Sequence, residues 1–204
     1  MITIIEGKSF EQAEVATLVM AKLAHRQFEA GKKVISNAEL KFDHEKIDNK
    51  KLMEIFDDDR LNEYVLALDR AYLFIDSRMT QSSLNKLISY AAHGGLDMIL
   101  TTSTIDFVDK RLRKACTYRI HCSRIRDDQA AVYVLNLDEG TRFRKWLPIN
   151  EFRELCDVDK ISPYLDSDKL LSSALELTDK DKVVPEEYDE GINQIKEESE
   201  NVLV

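Results

Sequence analysis

The sequence opens with MITIIEGKSFEQAE, residues 1–14, in which a short apolar run leads directly into a glycine and then into helix-forming residues. The run Ile2–Ile5 is rich in β-branched side chains, which is typical of a buried strand. From Phe10 to Ala30 apolar residues recur at helical spacing, and Gly31 is placed to cap the helix. The opening therefore predicts a strand, a short glycine loop and a long helix.

The same alternation of strands and helices continues beyond residue 30. Further apolar strands are predicted at Lys33–Ser36, Ala71–Asp76 and Leu96–Thr102. Helices are predicted within Asp48–Leu68, over Thr80–Ala92 and over Ile105–Lys114. Three later segments are β-like and suit antiparallel hairpins: Tyr118–Arg124, Ala130–Asn136 and Arg142–Leu147. Because continuous apolar strands separated by helices favour a parallel sheet covered on both faces, we predict a three-layer α/β domain with an antiparallel β extension.

Composition and charge divide the chain into three parts. The net charge of −9 lies in the segment from Asp157 onward, which holds 14 acids and 5 lysines, whereas residues 1–156 hold 24 acids and 24 basic residues. We predict a domain over 1–156, a short helical extension over 157–177, and an acidic, weakly ordered tail over 178–204. A neutral body with an acidic tail is not typical of a generic nucleic-acid binder.

Several protein classes are excluded by what the sequence lacks. The three cysteines form no C-x-x-C pair, which excludes a disulfide scaffold and a four-cysteine zinc site and favours a reducing compartment. The four histidines have no metal-ligand spacing. No apolar run reaches the roughly 18 residues of a membrane helix, and the first residues do not resemble a secretory leader. We expect a cytoplasmic protein without a membrane span.

The loop after the first strand is a candidate phosphate-binding loop that lacks the required groups. Such a loop has the form G-x-x-x-x-G-K-[ST], because backbone N–H groups wrap the phosphates, the lysine neutralises them and the hydroxyl holds Mg²⁺. If Gly7 is the first glycine, the other three positions fall on Gln12, Ala13 and Glu14. The literal Gly7-Lys8-Ser9 follows the strand too closely to be the end of this motif.

The run Ala71–Asp76 has the form of a Walker B strand, in which apolar residues precede a metal-organising aspartate. We predict Asp76 as a possible Mg²⁺ ligand and as the remnant of a catalytic site. Ser77 stands where most ATPases of this type place the glutamate that polarises water.

Four segments in order resemble the FtsK–HerA-like P-loop ATPases of viruses and plasmids, which include viral DNA-packaging ATPases and zonula-occludens-toxin-like assembly ATPases. The segments are KKVISNAEL at 32–40, YLFIDS at 72–77, HGGLDMILTTS at 93–103 and IDFVDKRLR at 105–113. The resemblance covers roughly residues 1–150. It implies strand order 5-1-4-3-2, ring oligomers with nucleotide sites between subunits, a sensor position at Ser103, and an arginine, Arg111 or Arg113, that reaches a neighbouring subunit's site.

The predicted function is that of a degenerate member of this family. The phosphate lysine, the Mg²⁺ hydroxyl, the catalytic glutamate and the sensor glutamine are all absent, and these groups supply most of phosphoryl-transfer catalysis. We expect a hydrolysis-deficient structural or regulatory subunit of an assembly, in the host cytoplasm or the virion. We expect no cofactor, or ATP and Mg²⁺ if the site is retained.

Two alternatives stay open from the sequence. The first is an active packaging motor that uses Lys8 as a displaced phosphate ligand. The second is a non-enzymatic DNA-binding module that uses a basic cluster within residues 110–126. This basic cluster consists of Lys110, Arg111, Arg113, Lys114, Arg119, Arg124 and Arg126. Within the same region, Cys116 and Cys122 are expected to be buried on one face of a strand.

Overall fold

The computed structural model describes residues 1–47, 63–73, 75, 81–93, 95–126 and 128–158. The chain divides into Met1–Ile161 and Ser162–Val204, and the described residues belong to the first unit. The predictions for Asp76, for the tail over 178–204 and for nearly all of the extension over 157–177 lie outside the described residues. Among the described residues, no helix combines the length and the apolar character that a membrane crossing requires.

Eight strands and four α-helices make up the described part of the chain. The strands are β1 (Ile2–Glu6), β2 (Lys33–Ser36), β3 (Glu45–Lys46), β4 (Tyr64–Leu68), β5 (Leu96–Thr102), β6 (Tyr118–Arg126), β7 (Gln129–Asn136) and β8 (Thr141–Pro148). The helices are α1 (Phe10–Glu29), α2 (Gln81–Ala92), α3 (Lys110–Lys114) and α4 (Ile149–Arg153). Single 3₁₀ turns lie at Ala71–Leu73 and Ile105–Phe107.

All eight strands form one sheet in the order β3-β2-β4-β5-β1-β6-β7-β8. The first six strands in this order, β3-β2-β4-β5-β1-β6, are parallel to one another. Strands β6, β7 and β8 are joined as antiparallel hairpins. The central order β6-β1-β5-β4-β2 is the predicted 5-1-4-3-2. The predicted fold class is therefore confirmed: a P-loop NTPase-like α/β fold with a mostly parallel sheet and an antiparallel extension.

Helices cover the two faces of the sheet with separate hydrophobic clusters. Alternate residues of a strand point to opposite faces, so that Ile5 packs with α1 and α4 while Ile4 packs with α2 and α3. On the first side Leu18 and Met20 of α1 are fully buried, and on the second side Leu84 and Leu87 of α2 are likewise fully buried. This arrangement gives the three predicted layers and brings the carboxyl ends of β1, β4 and β5 to one edge.

The predicted strand Ala71–Asp76 is wrong, because the strand in that position of the sheet is Tyr64–Leu68. Ala71–Leu73 is a 3₁₀ turn, in which Leu73 is 43% exposed, although Ile75 is buried as predicted. Both runs are apolar, rich in β-forming residues and followed by aspartate, so local propensity does not separate them. Strand pairing distinguishes the two runs, because Val65 pairs with Val34 of β2 and with Asp97 of β5. After β4, Arg70 has φ +50° and turns the chain away from the sheet. The helix predicted within Asp48–Leu68 is therefore wrong for its last five residues.

The other predicted elements are largely confirmed. Helix α1 ends at Glu29, and Gly31 has φ +88°, the left-handed conformation expected of a helix-terminating glycine. The helix predicted over Ile105–Lys114 is instead broken in two. Its second half begins where the Asp109 side chain accepts a hydrogen bond from the Arg111 N–H at 2.8 Å and caps α3.

Candidate functional site

The loop between β1 and α1 contains only Gly7, Lys8 and Ser9. Ser9 caps the helix, and its hydroxyl accepts the Gln12 N–H at 3.3 Å. In return the Gln12 side-chain oxygen accepts hydrogen bonds from the N–H groups of Lys8 and Ser9, both at 3.1 Å. This is a capping box, and it commits to Gln12 two of the backbone donors that a phosphate at this helix start would contact.

The loop is also packed closely against the first turn of α1. Gly7 is buried, and its N–H donates to the carbonyl of Thr102 on β5 at 3.0 Å. A Cβ atom added to Gly7 would overlap the backbone of Gln12 and Ala13. Glycine is therefore required here by the close approach of two backbone segments, and the loop has no arch between the strand and the helix.

The predicted positions of the second glycine, lysine and hydroxyl lie within α1. Gln12 and Ala13 belong to its first turn, and Glu14 follows on the next. The Glu14 carboxylate pairs with Arg153 of α4 at 2.8 Å, and this ion pair offsets the negative charge of Glu14. Of the predicted loop residues, Gly7, Lys8 and Gln12 are brought together, whereas Glu14 is directed to α4.

A buried aspartate that the sequence analysis missed lies at the centre of the carboxyl edge. Asp69 directly follows β4 and is 7% exposed. Its Oδ1 accepts hydrogen bonds from the hydroxyl of Thr17 at 2.7 Å and from that of Thr101 at 2.6 Å. Asp69 therefore links α1 to β5 across the end of β4.

The backbone around Asp69 is fixed by two further side chains. Asn37, just after β2, donates to the Asp69 carbonyl at 2.8 Å and accepts the Asp69 N–H at 2.7 Å. The Arg70 N–H donates to the Thr101 hydroxyl at 2.7 Å. The run Val65–Asp69, four apolar residues and an aspartate, has the form of a Walker B strand, and Arg70 follows the aspartate.

The groups around Asp69 do not form a multidentate metal site. Within the described ranges, no three His, Cys, Asp or Glu side chains come together as metal ligands. The Asp69 Oδ1 is engaged by two hydroxyls, and its Oδ2 lies 3.9 Å from Nε of Arg70. Together with the closed loop, this arrangement does not fit the triphosphate and Mg²⁺ of a standard P-loop site.

A second buried carboxylate, Glu6, ends β1. It is 4% exposed and pairs with Nδ1 of His121 on β6 at 2.7 Å, and it accepts the Ile105 N–H at 3.3 Å. Burial alone would raise the pKa of Glu6, but the hydrogen bond and charge of His121, together with the Ile105 N–H and the Lys8 charge, bring that pKa below its usual value. Glu6 is therefore held ionised beside the loop, which adds negative charge where a phosphate would approach.

The predicted sensor and arginine residues, Ser103, Arg111 and Arg113, follow β5 in the chain. Ser103 follows the end of β5, while the hydroxyl that contacts Asp69 belongs to Thr101, two residues earlier. Arg111 is held by both carboxylate oxygens of Asp109 at 3.0 Å and by Asn85 at 3.1 Å, and this pairing lowers the pKa of Asp109. Arg113 pairs with Asp106 at 2.9 Å. Both arginines thus have partners within the chain.

The basic cluster of residues 110–126 spans helix α3 and strand β6 rather than one element. The prediction that Cys116 and Cys122 share a face is wrong, because Cys116 precedes β6 and packs with α2 and α3 while Cys122 packs with α1. Both are buried, as predicted. Burial raises the pKa of Cys116 to about 11 and the pKa values of Cys122 and Cys156 to about 12.

A surface groove lies at the opposite edge of the sheet, at the amino ends of β2 and β4. Its lining includes Phe28, Lys33, His44 and Tyr64, and the Lys33 ammonium lies 5.4 Å from the centre of the Tyr64 ring. Ligands of open parallel sheets bind at the carboxyl ends of the strands, so we do not assign the candidate site to this groove.

Several solved structures share the fold of this chain. The N-terminal domain of zonular occludens toxin from Neisseria meningitidis matches with a TM-score of 0.56 and 15% identity, over 76% of this chain and 98% of that one. The DNA-packaging ATPase B204 from Sulfolobus turreted icosahedral virus matches with a TM-score of 0.51 and 12% identity, over 70% and 95% of the two chains. The chain has a viral P-loop ATPase-like fold.

A third structure, the genome packaging NTPase B204 from Sulfolobus turreted icosahedral virus 2 in complex with AMP, has the same fold. It matches with a TM-score of 0.52 and 10% identity, over 71% of this chain and 95% of that one. No protein-family model and no curated protein sequence matches the chain. The likeness to these three structures is therefore one of fold.

Proposed function

We propose that this chain is a P-loop ATPase-fold protein that does not hydrolyse ATP and that acts as a structural or regulatory subunit in viral or plasmid DNA packaging or assembly. The observation that carries the proposal is the closed loop, in which Gln12 takes the N–H groups of Lys8 and Ser9. The packaging context is supported by the fold neighbours, two of which are named for genome or DNA packaging.

The chemistry of phosphoryl transfer supports the absence of turnover. Catalysis depends on positioning the phosphates and neutralising their charge, with a further group to orient water or accept its proton. Here the loop has three residues, no lysine stands at the first turn of α1, and Arg70 follows Asp69 where a glutamate is usual. Removing one electrostatic group of this kind typically slows a reaction by two to three powers of ten, and several are absent together.

The subunit role implies self-association or association with an active ATPase. A ring of such subunits would use the fold as a spacer that keeps the geometry of the assembly without consuming nucleotide. Light scattering on the purified full-length chain, alone and mixed with a candidate active partner, measures this association directly.

The decisive experiment is phosphate release by the purified full-length chain with ATP and Mg²⁺. We expect no release above the buffer background, and the same result for Asp69→Asn and Lys8→Ala. Turnover that disappears in Asp69→Asn would overturn the proposal. Turnover that also disappears in Lys8→Ala would establish instead an active motor that uses Lys8 as its phosphate ligand.

Nucleotide binding is a separate measurement. Calorimetric titration with ATP and with AMP is expected to give no saturable heat, because the backbone donors of the loop are already bonded. Binding without turnover would keep the hydrolysis-deficient assignment and would make the protein a nucleotide-responsive scaffold.

A further inference from the structure

The antiparallel extension β6–β8 has two faces with different environments. One face packs against α1 and α4 through Ile120, Cys122, Val132 and Leu147. The opposite face, here called the open face, carries Arg119, His121, Tyr133, Arg142, Arg144 and Trp146, together with the apolar residues Ala131 and Leu135. None of these residues belongs to either hydrophobic cluster of the described chain.

Strand register places the open-face residues side by side. His121, Tyr133 and Arg144 form one cross-strand row, and Trp146 lies two residues along β8 from Arg144. The guanidinium carbon of Arg144 lies 4.5 Å from the centre of the Trp146 ring and 5.3 Å from that of Tyr133. The Arg144 guanidinium thus lies over both aromatic rings, and the three side chains form a positively charged aromatic platform.

This platform is accessible and has an excess of positive charge. Tyr133 is 42% and Trp146 49% exposed, and Arg142 and Arg144 are exposed as well. Strands β6, β7 and β8 carry six arginine and lysine residues, three on β6 and three on β8, and no aspartate or glutamate. Among the described residues, Arg142 and Arg144 are placed in no ion pair.

The carboxylates nearest to the open face in the chain lie at its ends. Asp138 and Glu139 occupy the turn between β7 and β8, Asp128 directly precedes β7, and Glu6 is paired with His121. The central part of the open face therefore presents aromatic rings and guanidinium groups together. Exposed aromatic side chains flanked by exposed cations point to a ligand that has both flat apolar groups and negative charge.

We propose that the open face binds single-stranded nucleic acid. The bases of a single strand can stack on Trp146, Tyr133 and the Arg144 plane, while Arg142 and Arg119 contact the phosphates. A duplex keeps its bases stacked inside and offers only phosphates to a flat sheet. This inference is independent of whether the loop binds nucleotide. The open face shares Arg119 with the basic cluster but contains no residue of helix α3.

The binding test uses the full-length chain and a fluorescein-labelled oligo-dT of about 15 nucleotides. Trp146 is the only tryptophan of the sequence, so quenching of intrinsic fluorescence reports directly on the open face. We expect quenching and a rise in anisotropy at about 50 mM salt. Affinity should then fall by about 0.7 log units per contacted phosphate for each log unit of salt.

Variants on the two faces of β8 provide a matched comparison. Trp146→Ala should weaken binding on the order of 10- to 100-fold, Trp146→Phe should retain most of it, and Arg142→Gln should flatten the salt dependence by about one phosphate contact. The controls are Phe143→Ala and Lys145→Gln, which alter exposed residues on the same strand but on the opposite face, and we expect changes below about 2-fold. Circular dichroism confirms that each variant is folded.

Four results would overturn the proposal. The first is an absence of quenching at about 50 mM salt, and the second is an equal loss of affinity in the open-face and control variants. The third is an affinity for a duplex of the same length equal to that for oligo-dT, and the fourth is displacement of the labelled oligo-dT by polyglutamate as effective as by unlabelled oligo-dT. Equal affinity for the duplex would show contact with phosphates alone, and competition by polyglutamate would assign the face to an acidic protein instead.

Discussion

The hydroxyl of Thr17 donates a 2.7 Å hydrogen bond to Oδ1 of Asp69, and this contact joins helix α1 to the carboxyl end of β4. The Thr101 hydroxyl donates to the same oxygen at 2.6 Å. Thr17 is 3% and Asp69 7% exposed, so the carboxylate depends on these two hydroxyls rather than on water. Asp69 is therefore the centre of a buried hydrogen-bond network at the end of β4.

Replacing Thr17 tests this network. Thr17→Val keeps the shape of the side chain and removes the hydroxyl, which leaves a buried carboxylate oxygen with one partner fewer. We expect the free energy of unfolding to fall by about 1–3 kcal/mol, measured by urea denaturation. Thr17→Ser should lose less, and Thr141→Val, at an exposed position of β8, should change it by less than about 0.5 kcal/mol. Equal losses in the valine and serine variants would argue against the hydrogen bond.

Local sequence was sufficient for much of the fold but not for the choice of β4. Strands β2 and β5 and helix α1 have apolar patterns with clear ends. Between residues 64 and 76, however, two apolar runs each end in aspartate, and only pairing with β2 and β5 distinguishes them. Choosing the second run moved the predicted Walker B residue from Asp69 to Asp76.

The candidate site was harder to predict because its contacts join distant parts of the chain. Thr17 and Thr101 lie 52 and 32 positions from Asp69, and no local pattern connects them. The closed loop, by contrast, had a readable local indication. Ser9 and Gln12 have the spacing of a capping box, which places the helix start at Phe10 and leaves no room for a long phosphate-binding loop.

The choice between the two candidate strand segments can be tested with one leucine from each. Leu66 on β4 is 1% exposed, whereas Leu73, which the sequence placed in the strand, is 43% exposed. Leu66→Ala should lower the free energy of unfolding by about 2–5 kcal/mol, and Leu73→Ala by less than about 1 kcal/mol. A larger loss for Leu73→Ala than for Leu66→Ala, measured by thermal or urea unfolding, would instead support a strand at Ala71–Asp76.

The Glu6–His121 pair predicts a pH dependence of stability. The lowered pKa of Glu6 means that its contribution to stability is present above the usual glutamate pKa of about 4.3 and is lost as the pH falls through the lowered value. In His121→Ala the buried carboxylate loses its main partner, and its pKa rises. We expect a loss of about 1–3 kcal/mol near pH 6, which becomes smaller as the pH falls through the lowered pKa of Glu6 and the carboxylate is protonated.

A double-mutant cycle isolates this interaction. Glu6→Gln, His121→Ala and the double variant, unfolded in urea over a series of pH values from about 6 downward, give the coupling energy of the pair. The coupling should be present near pH 6 and should decline as the pH falls through the lowered pKa of Glu6. A coupling energy that does not change over the series would mean that the ionised carboxylate does not contribute.

The three cysteines should be unreactive in the native protein. Burial raises the pKa of Cys116 to about 11 and the pKa values of Cys122 and Cys156 to about 12, so the thiolate fraction near pH 8 is on the order of one part in a thousand or less. With an aromatic disulfide reagent we expect slow labelling of all three in buffer and rapid labelling of three thiols in denaturant. Fast native labelling of any one would show that its surroundings open readily.

Gly7 tests the closed loop that underlies the proposed function. Because a Cβ atom at this position would overlap the backbone of Gln12 and Ala13, Gly7→Ala requires the loop and the start of α1 to separate. We expect a loss of about 1–3 kcal/mol in the free energy of unfolding, the range seen when a packed region is overfilled. The control is Gly140→Asn in the exposed β7–β8 turn, where φ is +68° and asparagine is well tolerated, so that its loss should be below about 1 kcal/mol. In an open phosphate-binding arch an alanine would have space, so full stability of Gly7→Ala would contradict the closed loop. A gain of ATP binding in Gly7→Ala would show that the arch forms once the contact with α1 is broken.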